Sequence, residues 1–148
     1  MADLGDHLAY LRAAQAEALA APLSARKAML VVMLADACAD RLFAAQDVVD
    51  DILVFRQRLA ARSEELALVF AIAAMREGGE RLVTEAVAVP IDDYGRLSIE
   101  DFMVSLYNDH AVQRVLVALP DGGRRDVHEV LAGAIDALAY HNDAPLTP

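Results

Sequence analysis

The sequence predicts a helix-dominated α+β fold: an amino-terminal block of four helices packed with a carboxy-terminal section of two strands and two helices. Three observations lead there. Residues 23–77 contain neither Gly nor Pro, and the run is fenced by Pro22 and by Gly78-Gly79; without the two strongest helix breakers, helical periodicity is free to continue. Beyond the fence the texture changes to short β-branched runs separated by Pro- and Gly-containing turns. The 148 residues carry 57% hydrophobic but only 5% aromatic side chains, so the core is one of Ala, Val, Leu and Met that lets helices approach closely. This length predicts a single domain, able to fold without disulfides or metals, with a helical block at 1–77, a mixed section at 78–141 and a loose tail at 142–148.

The first helix is expected from about Asp3 to Ala20, where Leu4, Leu8, Leu11, Ala14 and Ala18 form a narrow stripe. Pro22 ends it. Ser24 is the N-cap candidate for the second helix, although Arg26 and Lys27 oppose its macrodipole. Residues 28–35 are apolar on every side of that helix, which predicts enclosure by neighbours. As one rod, residues 23–77 would reach roughly 80 Å, too long for a compact domain of this size. Turns are therefore expected at Asp47 and Ser63, both N-cap residues with acids behind them. They delimit a third helix, about Asp47 to Ala61, with Val48, Ile52, Phe55 and Leu59 on one face, and an apolar fourth, Glu64 to Arg76. Helices two and four read as central, one and three as peripheral.

Residues 82–89 favour a strand, stopped by Pro90. Ser98 then caps a short helix carrying Ile99, Phe102, Met103 and Leu106. A second strand is expected at Gln113–Leu119, closed by the turn Pro120-Asp121-Gly122-Gly123, and Asp126 with Glu129 starts a last helix ending near Tyr140. The two strands should pair antiparallel, and so small a ribbon must lie on the helices or pair with a second subunit.

Charge and composition exclude several functions. The net charge is −10, divided as ten acids against eight bases in residues 1–76 and thirteen against five in 77–148. With one lysine and no basic stripe, nucleic acid is disfavoured. The longest charge-free run, Leu66–Met75, has ten residues, half of what a membrane span requires. No secretory signal pattern opens the sequence, and the single cysteine, Cys38, reads as a buried apolar residue. A cytoplasmic protein is expected.

Three constellations could carry chemistry. Asp36 and Asp40 are like charges one helical turn apart beyond an apolar stretch. Water, a neighbouring arginine such as Arg12, Arg56 or Arg58, or a cation could compensate them; as metal ligands they would suit Mg²⁺ or Mn²⁺, which tolerate few protein ligands. His7, His110, His128 and His141 are too scattered for zinc or a di-iron site. In Tyr107-Asn108-Asp109-His110, Asp109 and His110 could serve as acid or base and Tyr107 and Asn108 could orient a ligand, although a helix-ending turn explains the same residues. Arg124 and Arg125 follow Gly122-Gly123 and could hold an anion, but neither a Walker nor a dinucleotide spacing is present and a plain β-to-α turn accounts for them. No cofactor motif is found. The expectation is a non-catalytic interaction or assembly protein, homo-oligomeric, binding itself or another protein; the alternative is a metal-dependent hydrolase or small-ligand-binding protein using Asp36 and Asp40.

Overall fold

The computed structural model describes residues 4–46, 51–89, 97–107 and 110–143, with the backbone alone at 105 and 107. In order these form α1 (Leu4–Ala20), α2 (Ala25–Ala45), α3 (Ile52–Arg62), α4 (Glu64–Ala74), β1 (Arg81–Ala88), α5 (Ile99–Tyr107), β2 (Ala111–Ala118), β3 (Arg124–Asp126) and α6 (Val127–Asp143). The helix-dominated α+β architecture is as the sequence predicts, with helices first and the sheet after them.

Local capping chemistry fixes most boundaries. Lys27 N–H donates to Ser24 Oγ at 3.2 Å, Leu66 N–H to Ser63 Oγ at 3.1 Å and Asp101 N–H to Ser98 Oγ at 3.1 Å, starting α2, α4 and α5. The start of α3 is corrected. Its cap is Asp51, whose Oδ1 accepts from Val54 N–H at 2.9 Å, while Asp47 and Val48 fall outside the described residues. Helix α4 ends two residues before Arg76 because Met75 takes a left-handed conformation, φ 52°, that closes the last turn. Helix α6 runs past Tyr140 to Asp143, since His141 is itself buried and extends the packed face; residues 144–148 of the expected tail lie outside the described residues.

One hydrophobic cluster joins the helical block to the sheet, from Leu11 and Val31 through Phe55, Leu66 and Val69 to Val115, Val117, Leu131 and Leu138. Helix α2 touches α1, α3, α4 and α6, and α6 lies against α4, α2 and α1, so α6 is as central as the two helices expected to be. It approaches α4 at Gly133, where a Cβ would stand 2.6 Å from Cγ of Glu65. Helix α2 is less enclosed than its composition predicts, because Leu30 and Met33 reach solvent. No helix of the described residues is long and apolar enough to cross a membrane.

The sheet has three strands rather than two, all antiparallel, in the order β1-β2-β3. The sequence Arg-Arg-Asp has no strand propensity; β3 forms because Gly122, at φ 93°, folds the chain back and Leu119 N–H donates to the Gly123 carbonyl at 2.9 Å. What reads as a β-to-α turn is thus a hairpin. Val115, Val117 and Leu82 face the helices. Alternation puts Val83, Glu85, Arg114, Leu116 and Arg124 on the opposite face, where α5 lies and Asp101 meets Arg114 at 3.0 Å.

Two histidines are buried. His7 Nε2 lies 2.9 Å from the Leu34 carbonyl, joining α1 to α2. His141 receives Gln46 Nε2–H on its backbone carbonyl at 3.1 Å, but its ring Nδ1 and the Gln46 Oε1 are buried without a partner among the described residues. Burial first, and then the charge of Arg62, hold the His141 pKa below the ordinary 6.5. Between the folded and unfolded values the unfolded chain therefore binds more protons, so stability is full above about 6.5 and is lost as pH falls from there toward the folded value. Thermal melts should show a Tm falling between about pH 7.5 and 5.5 more steeply in the native chain than in His141→Leu; parallel curves would assign the loss to other groups.

Candidate functional site

Helices α2 and α3 are held together at the aspartate pair that the sequence singles out. Arg56 of α3 donates from Nη2 to Asp36 Oδ1, and from Nη1 to Asp40 Oδ1 at 3.1 Å and to the Asp36 carbonyl at 3.1 Å. Its Cζ sits 4.2 Å from the centre of the Phe70 ring of α4, a cation–π contact. One guanidinium thus compensates both carboxylates and binds three helices together, with the Phe43 and Phe55 rings beside it tilted at 51°, their centroids 5.5 Å apart. A cation at Asp36 and Asp40 would have to displace that guanidinium, and among the described residues no group of three or more His, Cys, Asp or Glu could hold a metal.

The other sequence candidates separate. Asn108 and Asp109 lie outside the described residues, as does the side chain of Tyr107, which closes α5. His110 is exposed in a left-handed conformation, φ 63°, and its carbonyl accepts from Val89 N–H at the end of the sheet. Arg124 makes a fork onto Glu85 at 3.0 and 3.1 Å, and that hydrogen bonding holds the Glu85 carboxyl below its ordinary range. Arg125 projects from the other face to Glu64 at 3.1 Å, Glu65 at 3.6 Å and Glu129 at 3.9 Å. The two neighbours therefore point opposite ways, each toward carboxylates of its own chain, and do not form one anion cradle.

Two features emerge only in three dimensions. A cavity of about 530 Å³ opens between the α1–α2 turn, α5, the sheet and α6, lined by Ser24, Ser98, Asp101, Arg114, Asp126 and His128 among others. Several of its polar groups are engaged: Arg114 with Asp101, Asp126 Oδ2 with Glu129 N–H at 3.1 Å, and His128 Nε2 at 3.1 Å from the Pro22 carbonyl. These contacts brace the junction.

The second feature is the orientation of α5. Spacings i, i+3, i+4 and i+7 place Ile99, Phe102, Met103 and Leu106 within roughly 100° of arc, with Asp101 about 150° from its centre. Since Asp101 points to Arg114 on the sheet, the apolar stripe points away, and its residues are 83, 37, 48 and 51% exposed. The spacing was legible in the sequence; the direction was not, because it depends on which side of the helix meets the sheet.

Compared with protein-family models, curated proteins and solved structures, the chain matches none.

Arg56→Ala is expected to lower Tm by roughly 4–8 °C, about 2 kcal/mol, since it strands the Asp36 carboxylate and removes the ring contact. Asp40, 54% exposed against 29% for Asp36, is better solvated, so Asp40→Asn should cost less than Asp36→Asn. Equal losses in calorimetry would contradict this ranking.

Proposed function

We propose that this is a non-catalytic interaction or assembly protein, homo-oligomeric and cytoplasmic, whose contact element for other proteins is the outward stripe of α5. The observation that carries the reading is the orientation of that helix. A nine-residue helix with Ile99, Met103 and Leu106 exposed on one face gains from burying that face, yet here it turns Asp101 to the sheet. The pattern i, i+3, i+4, i+7 is the one by which helices dock into grooves. Glu100 flanks the stripe and residues 77–148 carry thirteen acids against five bases, so the complementary surface is an apolar groove with a basic rim.

Further support comes from the chemistry of the remaining groups. Asp36 and Asp40 share Arg56, Arg124 and Arg125 hold carboxylates of their own chain, and the Cys38 thiol is pushed up to about 11 by burial, against a smaller lowering by Arg41. A buried, protonated thiol is a poor nucleophile and suits a reducing compartment. No observation favours the metal-dependent alternative.

Native mass spectrometry at micromolar concentration should give a multiple of the 16.0 kDa chain mass with no retained metal or small molecule. A monomer that keeps Mg²⁺ or Mn²⁺ would overturn the reading. Met103→Asp should leave Tm within about 2 °C, because the substituted side chain lies outside the core, while lowering the fluorescence of a dye specific for exposed apolar surface. A large loss of stability would show that the stripe belongs to the fold.

A further inference from the structure

On one side of the sheet the outermost described strand is β1. Among the described residues nothing pairs with the outer side of β1, since the order is β1-β2-β3. Which of its groups are free follows from the ladder. Val89 N–H donates to the His110 carbonyl at 2.6 Å and the register sets Ala88 against Ala111, so odd-numbered residues of β1 bond to β2. The second ladder agrees: Leu119 N–H donates to Gly123 and Val117 faces Arg125, which gives the odd residues of β2 to β3 and its even ones to β1. The N–H and C=O groups of Leu82, Thr84, Ala86 and Ala88 therefore point outward.

Natural sheets guard such an edge with proline, lysine, a bulge or a short strand. Here β1 has eight residues paired to β2 without interruption, no proline and no lysine, and Thr84, Ala86 and Ala88 are small and exposed. Resting on the homo-oligomeric reading above, we infer that the occupant of this edge is a second copy of the chain, joined β1 to β1 in antiparallel fashion to make a six-stranded sheet.

Charge selects the register. A two-fold axis at Glu85 would set Glu85 against the second copy's Glu85, and one at Thr84 would set Arg81 and Glu85 each against a valine. An axis at Val83 sets Arg81 opposite the second copy's Glu85 and, by symmetry, Glu85 opposite its Arg81. Opposite charges directly across strands stabilise and like charges oppose pairing. Glu85 already holds Arg124 on the same face, so the dimer contains the alternating row Arg124, Glu85 and the second copy's Arg81 on each side of the axis. Because that axis is perpendicular to the sheet, both α5 helices come to lie on the same face. The dimer therefore presents two apolar stripes to one partner surface, a bivalent arrangement.

Cross-linking and mass measurement test this. In Val83→Cys the two thiols face each other at the axis, with Cα atoms about 4.5 Å apart, within disulfide reach. Air oxidation should give a linked species of twice 16.0 kDa, while Ala88→Cys and the native chain, whose one thiol is buried, give none. Thr84→Pro removes an outward N–H that no described residue of the monomer uses; its helical circular dichroism should be unchanged and its sedimentation mass should fall to one chain. Arg81→Glu should weaken the dimer tenfold or more. A native oligomer that survives Thr84→Pro and does not link at Val83→Cys would overturn the β1 joint and leave the homo-oligomeric reading standing. A native chain that is monomeric at tens of micromolar would overturn both. Linking of Val83→Cys only to a different polypeptide in cells would replace the second copy as occupant.

Discussion

The close approach of α6 to α4 at Gly133 is the constraint around which the rest is arranged. With no side chain at that position the two helices can meet where a methyl group would run into the stem of Glu65. From the same contact Arg125 reaches Glu64, Glu65 and Glu129, so β3 is tied at once to α4 and to the first turn of α6. The hydrophobic cluster provides the driving force, but this junction sets where the sheet sits on it. The other side of the sheet rests on α2, which β1 contacts, and Leu82 of β1 packs against the core.

The second anchor, Arg56, solves a different problem. Helices α2 and α4 have apolar faces that would accept several rotations about their axes. A guanidinium that must satisfy Asp36, the Asp36 carbonyl and Asp40 while lying on the Phe70 ring allows far fewer. Its contribution lies more in orientation than in net energy, since the group remains partly hydrated.

Much of this was legible in the sequence, for a physical reason. Helix starts are local events, decided by whether a hydroxyl or carboxylate can accept from an N–H three residues on, and Ser24, Ser63, Ser98 and Asp126 each do so. The choice of Asp51 over Asp47 is where that reasoning slipped, because several aspartates in succession offer alternative caps of similar local quality. Strand β3 was hidden for the opposite reason: its pairing comes from the turn before it and from Arg125 and Arg124 finding carboxylates on either face, not from propensity. The outward stripe of α5 and the burial of His7 and His141 were equally out of reach, since a periodic pattern gives the angle between side chains on one helix and not the angle between that helix and its neighbours.

The position of α6 in the chain has a consequence for synthesis. It follows every other described element in sequence, yet it lies against α1, α2 and α4 and seals the core. While a ribosome is still making residues 127–143, the apolar walls of α2 and α4 are finished but uncovered, and compact intermediates with such exposed surface are the ones that associate wrongly. The nascent chain thus passes through an interval in which apolar surface destined for the core is still exposed.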